Sequence, residues 1–173
     1  MALVVLLRGV NVGGHRTFRP AALAHDLDHL DVVNIGAAGT FVVRAKITPA
    51  GLRAELERRL PFSTEIMICE GREVIALLAG DFVSGTPVGK EIVWFASLLA
   101  RQPRGGPTLP LSLPPDGPWE LQVVARKGRF LVGRYRRQMR AVNHLGALDK
   151  LFGVPATTRN WNTLGAIARV LDG

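Results

Sequence analysis

The apolar positions along the chain change period several times, and each change marks an element. Ala2 to Leu7 is an apolar run closed by Arg8 and Gly9, the pattern of a short strand buried on both faces. Leu23, Leu27 and Leu30 recur at i, i+4 and i+7, which predicts a helix. Val32 to Ile35 and Thr40 to Val43 are rich in β-branched residues and are separated by Gly36-Ala37-Ala38-Gly39, which predicts two strands joined by a turn. Thr48 stands as an N-cap with Pro49 at the first helical position, and Leu52, Leu56 and Leu60 form the stripe of a helix that Pro61 ends. Glu65 to Cys69 predicts a further strand. The order β-α-β-β-α-β is the split βαβ of a ferredoxin-like plait.

The pattern then repeats in weaker form. Val74, Leu77 and Leu78 suggest a short helix, and Ile92 to Leu99 another buried strand. Arg101 to Pro118 holds six prolines and three glycines, which excludes a regular helix and a central strand and leaves a long loop, a lid or a decayed element. Trp119 to Ala125 and Arg129 to Tyr135 flank Arg126-Lys127-Gly128 as a hairpin, with the glycine supplying a positive φ. Leu145, Leu148 and Phe152 mark a helix closed by Gly153, and Leu164, Ile167, Ala168 and Leu171 a terminal one. The expected fold class is α+β, an α/β sandwich of two fused ferredoxin-like halves, the second incomplete. The halves are placed at residues 1–80 and 81–173, as two domains or one compact unit.

Charge sharpens this division. The net charge is +8, and Val88 to Gly173 carries 13 Lys or Arg against 5 Asp or Glu, whereas the preceding residues balance at 9 and 9. The excess therefore belongs to the second half and makes an anionic partner plausible. The one cysteine, Cys69, cannot form an internal bridge and reads as a core residue. The apolar start is too short and too soon interrupted for a signal peptide, and no run approaches a membrane span, so a cytoplasmic protein with no membrane partner is expected.

Two segments carry a family resemblance. Leu6-Leu7-Arg8-Gly9-Val10-Asn11-Val12-Gly13-Gly14-His15 is similar to the opening signature of the bacterial "domain of unknown function 1697" family, and Gly153 to Thr163, including Thr157-Thr158-Arg159-Asn160-Trp161-Asn162, is similar to its closing signature. The resemblance implies two fused plait-like halves and carries no established activity or cofactor. This chain departs from the family at Ala38-Gly39-Thr40, where a Ser-Gly-Asn turn is common, and at the proline-rich stretch, where the family tends to place a helix.

The chemistry of the two signatures allows a binding site. The glycine loop follows a strand and precedes a helix, the context of an anion cradle, with Arg8, Asn11, Gly13 and Gly14 as candidate ligand residues. Gly9 and Gly14 have P-loop spacing, but His15 and Arg16 stand where lysine and a hydroxyl are required, so a P-loop nucleotidase is not expected. The plain alternative is a tight connection. In the closing signature Thr158, Arg159, Asn160, Trp161 and Asn162 supply a guanidinium fork, a stacking face and amides in what reads as a terminal loop. The plain alternative there is a capping threonine, a packed tryptophan and a paired arginine.

The leading expectation is a small-anion (phosphate or carboxylate) ligand-binding protein on which both segments converge. The alternatives are nucleic-acid binding by Lys127, Arg129, Arg134, Arg136 and Arg137, in a stretch with seven basic and no acidic residues from Arg126 to Arg140, and an enzyme with an unrecognised catalyst. No cofactor or metal is implied. His25 and His29 share helical spacing but lie opposite the leucine stripe and have no further ligand.

Overall fold

The computed structural model describes residues 2–11, 14, 16–83 and 91–173. The chain clusters into two compact units, Met1–Ala79 together with Thr163–Gly173, and Gly80–Asn162.

In the first unit, β1 (Leu3–Leu7) is buried along its whole length, as an unbroken apolar run demands. It is followed by α1 (Pro20–Asp26), which begins on proline and is shorter than the leucine spacing predicts. The chain leaves α1 through a 3-10 turn at Asp28–Leu30, and Asp31 takes a left-handed φ of 53°. Next come β2 (Val32–Ile35), β3 (Thr40–Val43) and α2 (Pro49–Arg59), whose first turn is closed where the Gly51 N–H donates to Thr48 Oγ1 at 3.0 Å. β4 (Ile66–Glu70) passes directly into α3 (Gly71–Ala79), and there the Glu73 carboxylate accepts the Glu70 N–H at 2.7 Å.

The sheet order is β2-β3-β1-β4, every neighbouring pair antiparallel. β1 and β2 therefore run parallel with β3 between them, which is the split βαβ arrangement. Leu3, Val5 and Leu7 of β1 join Phe41, Val43, Ile66 and Ile68 under Leu23, Leu27, Leu52 and Leu56 of the helical layer. Burying this stripe supplies most of what holds α1 and α2 in place, since helices this short are marginal alone.

The second unit contains β5 (Ile92–Leu99), β6 (Leu111–Leu113), β7 (Leu121–Lys127), β8 (Phe130–Arg136), α4 (Met139–Phe152) and β9 (Ala156–Asn160). The final helix α5 (Trp161–Asp172) starts directly after β9, as α3 does after β4. The sheet order is β6-β7-β8-β5-β9, again antiparallel throughout. Without β6, the order β7-β8-β5-β9 reproduces β2-β3-β1-β4 strand for strand. Between β5 and β7, where the first unit has α1, the described chain has the proline-rich segment and no helix. The two halves are thus ferredoxin-like and the second lacks its crossover helix, which is the expected fold class.

Three expectations are corrected. The stretch 101–118 is not wholly loop, because Leu111–Leu113 pairs with β7. The closing signature is not a loop either: residues 156–160 form a strand against β5, with Thr158 opposite Ser97 and Arg159 opposite Ala96. The hairpin turn also shifts, since Lys127 still pairs with Phe130, leaving Gly128 (φ +59°) and Arg129 as the turn. Among the described residues no helix is long and apolar enough to cross a membrane.

Candidate functional site

The opening signature lies in the first unit. Asn11 has a φ of 54°, and its side chain staples the loop: Nδ2 donates to the Ala37 carbonyl at 2.8 Å while Oδ1 accepts the Phe18 N–H at 2.9 Å. Gly9 and Gly14 both take positive φ, so two of the glycines serve the turning of the chain. Gly13 lies outside the described residues. Arg8 lines a cavity of about 560 Å³ with Arg16, Arg53, Thr64 and two carboxylates, Glu57 and Glu65. Thr64 Oγ1 donates to the Arg8 carbonyl and accepts Arg16 Nη1 at 3.3 Å, and Arg53 Nη1 donates to the Ile66 carbonyl at 2.6 Å. The acids in this lining offset much of its positive charge.

The closing signature lies in the second unit up to Asn162, and its residues divide between two environments. Thr158 and Arg159, adjacent on β9, project to opposite faces of the second sheet, Thr158 half-buried and Arg159 buried. Thr158 Oγ1 lies 2.6 Å from Ser97 Oγ, and Arg159, only 8% exposed, donates from Nη1 to Thr157 Oγ1 and to the Thr158 carbonyl, both at 2.9 Å. Burial pushes the Arg159 guanidinium down to about 10, because the charged form loses its hydration. Asn160, Trp161 and Asn162 instead border a cavity of about 300 Å³, together with Trp94 of β5 and Arg137, which follows β8. The β9–α5 junction positions the first three, and the β5–β8 pairing brings Trp94 and Arg137 to the same place. In the sequence Arg137 belongs to the nucleic-acid alternative, and Trp94 carries no signal beyond one aromatic ring in a strand that reads as buried.

The basic hairpin is largely committed to the protein itself. Arg134 stacks between Trp119 and Trp94, its guanidinium carbon 4.9 Å and 5.6 Å from the two ring centroids, and Nε donates to Gln122 Oε1 at 3.0 Å. Arg136 lies 4.2 Å over Trp119 and donates to that residue's carbonyl at 2.9 Å. Arg129 Nη1 reaches the carbonyls of Leu99 and Ala100, each at 3.4 Å. Lys127 is exposed beside the turn. The two interleaved aromatics point inward: Phe130 is buried and Tyr135 packs on Phe95 with centroids 5.9 Å apart. A base-stacking surface of the RNA-recognition kind therefore lacks those rings.

Residues 1–104 match the family model described as "Protein of unknown function (DUF1697)". The chain belongs to the DUF1697 family. Among solved structures, it is similar to the conserved bacterial protein SP0830 from Streptococcus pneumoniae, with a TM-score of 0.64, 16% identity, and 99% of this chain and 98% of that one covered. At that identity the likeness shows the fold. No functionally curated protein matches.

Membership of DUF1697 brings no activity with it, since the family's function is unknown. The family match covers the opening signature and ends before the closing one, so the cavity beside Trp161 rests on this DUF1697 chain's own geometry. Among its described residues no three His, Cys, Asp or Glu side chains are grouped to hold a metal ion, and His25 and His29 are both exposed.

Proposed function

We propose that this chain binds a small anionic ligand bearing a planar group, in the second-unit cavity between the start of β5, the end of β8 and the β9–α5 junction. The observation that carries the reading is the meeting of Arg137, Trp94, Trp161 and Asn162 around about 300 Å³ of space. Arg137 brings a planar fork matched to phosphate or carboxylate oxygens. The indoles offer faces for a flat group, and the amides of Asn160 and Asn162 can read donors and acceptors on it. Among the described residues of the lining none is Asp, Glu, His, Ser or Cys, and the groups they do present are those of recognition. A cytoplasmic setting belongs to the same reading and is supported by Cys69, a buried free thiol in a fold held by its apolar core.

The test is a thermal-shift and tryptophan-fluorescence panel of nucleoside monophosphates, aromatic carboxylates and inorganic phosphate. At least one flat anion should stabilise the wild type and change the emission of Trp94 or Trp161, and Arg137→Ala should remove both effects. A panel without any response would end the reading. A single-stranded oligonucleotide that binds with a steep salt dependence, while flat anions do nothing, would favour the nucleic-acid alternative instead.

A further inference from the structure

The proline-rich segment and the end of α4 enclose a second charged space, independent of the cavity beside Trp161. Arg101, Arg104 and Lys150 line a cleft of about 560 Å³ with Phe152 among its walls. A hollow of about 380 Å³ shares Arg104, Gly105, Gly106 and Phe152 with it and adds Arg126. The shared walls make one cleft with two lobes. Among the described residues four cationic side chains border it, and no Asp or Glu lines either lobe. The acid adjacent to Lys150, Asp149, accepts the Ala156 N–H at 3.1 Å.

The cleft is built into the fold. Gly106 has a φ of +142°, and a Cβ there would lie 3.1 Å from Phe152 Cδ1, so the loop backbone rests against the ring as only glycine permits. One wall is thereby fixed by core packing, since Phe152 belongs to the apolar cluster under the sheet. Like charges gathered around one space repel each other, and an anion between them relieves that repulsion.

We propose that this cleft binds an oligophosphate, a linear chain of two or three phosphoryl groups, free or carried on a nucleoside. A single phosphate would engage one lobe and leave cations of the other unmatched, whereas a chain spans both. Three guanidinium forks and one ammonium fit successive phosphoryl oxygens. Two adjoining lobes of limited size suit a short ligand better than a polynucleotide backbone, which needs a continuous groove.

Calorimetric titration of the full chain with sodium tripolyphosphate at low salt tests the proposal. Arg104→Ala and Lys150→Ala should each weaken binding about 10-fold, the loss of one charge-assisted contact, and the double variant should abolish it. Tripolyphosphate should also protect the bonds after Arg101 and Arg104 from trypsin. Arg137→Ala should bind tripolyphosphate as the wild type does, which separates this site from the cavity beside Trp161. A nucleoside triphosphate arm distinguishes the sources: equal affinity assigns recognition to the phosphate chain alone, and tighter binding assigns a nucleoside to the wall at Phe152. The proposal is overturned by absence of heat and protection with both ligands. It is equally overturned if Arg104→Glu/Lys150→Glu, folded by circular dichroism, binds as tightly as the wild type.

Discussion

The guanidinium of Arg136 lies 4.2 Å over the Trp119 ring while its Nε donates to the Trp119 carbonyl at 2.9 Å, so one side chain holds another by face and by backbone together. This clamp joins the end of β8 to the residues leading into β7. Arg136→Ala should lower stability by about 1–2 kcal/mol, the worth of a partly desolvated cation–π contact plus one hydrogen bond. Arg136→Lys should recover less than half, because an ammonium cannot stack as a plane. Urea unfolding of the three proteins decides it, and equal stability of Arg136→Ala and wild type would remove the clamp from the account.

Two glycines of the β2–β3 turn separate conformational strain from crowding. Gly36 and Gly39 have φ of +69° and +80°, but a Cβ at 36 meets open space while one at 39 lies 2.8 Å from both Leu7 Cβ and Val10 Cγ2. Gly36→Ala should cost about 1 kcal/mol from backbone strain alone. Gly39→Ala should cost about 2–4 kcal/mol, because overpacking adds to that strain. Losses of the same size in thermal unfolding would show that Leu7 and Val10 yield freely.

The Ser97–Thr158 hydroxyl pair, 2.6 Å apart across β5 and β9, should behave as a unit. Ser97 is fully buried, so Thr158→Val or Ser97→Ala alone should cost about 1–3 kcal/mol by leaving one hydroxyl without this partner. The double variant should cost less than the two singles together. Strict additivity in a double-mutant cycle would mean that the hydroxyls do not depend on each other.

Arg159 gives a pH signature. Burial lowers its value from the ordinary guanidinium range to about 10, so above pH 10 the unfolded chain holds a proton that the folded chain has released. Stability contributed by this residue therefore rises as pH climbs from about 10 toward the unfolded value, and at neutral pH its burial opposes folding. The stability difference between wild type and Arg159→Met should shift in favour of wild type over that window. A pH-independent difference would place the charge in a better solvated environment than its 8% exposure implies.

Most strands and helices of both halves were legible because their apolar positions keep a regular period. The exceptions are physical. β9 reads Ala156-Thr157-Thr158-Arg159-Asn160, and three of its buried side chains are Ala156, Thr157 and Arg159, so no hydrophobic alternation announces it. β6 spans three residues between prolines, below the length at which a pattern exists. At the candidate sites, composition found Arg137, Asn160, Trp161 and Asn162, but it could not show that Arg159 turns into the sheet while its neighbours border a cavity. The cleft at Arg104 and Lys150 escaped for a different reason. Its cations come from a loop, a strand and a helix, and only folding brings them to one place.

The proline-rich segment has a further consequence for the second sheet. Without β6, seven-residue β7 would end the sheet, as β2 ends the first, and present a long open row of N–H and C=O groups to any other strand. β6 occupies that row instead, and as the outermost strand it is only three residues long, bracketed by Pro110 and Pro114, which have no N–H to donate. A ladder so short and so interrupted gives an incoming strand little to extend. The proline-rich segment therefore also guards this edge of the second sheet against pairing with another chain.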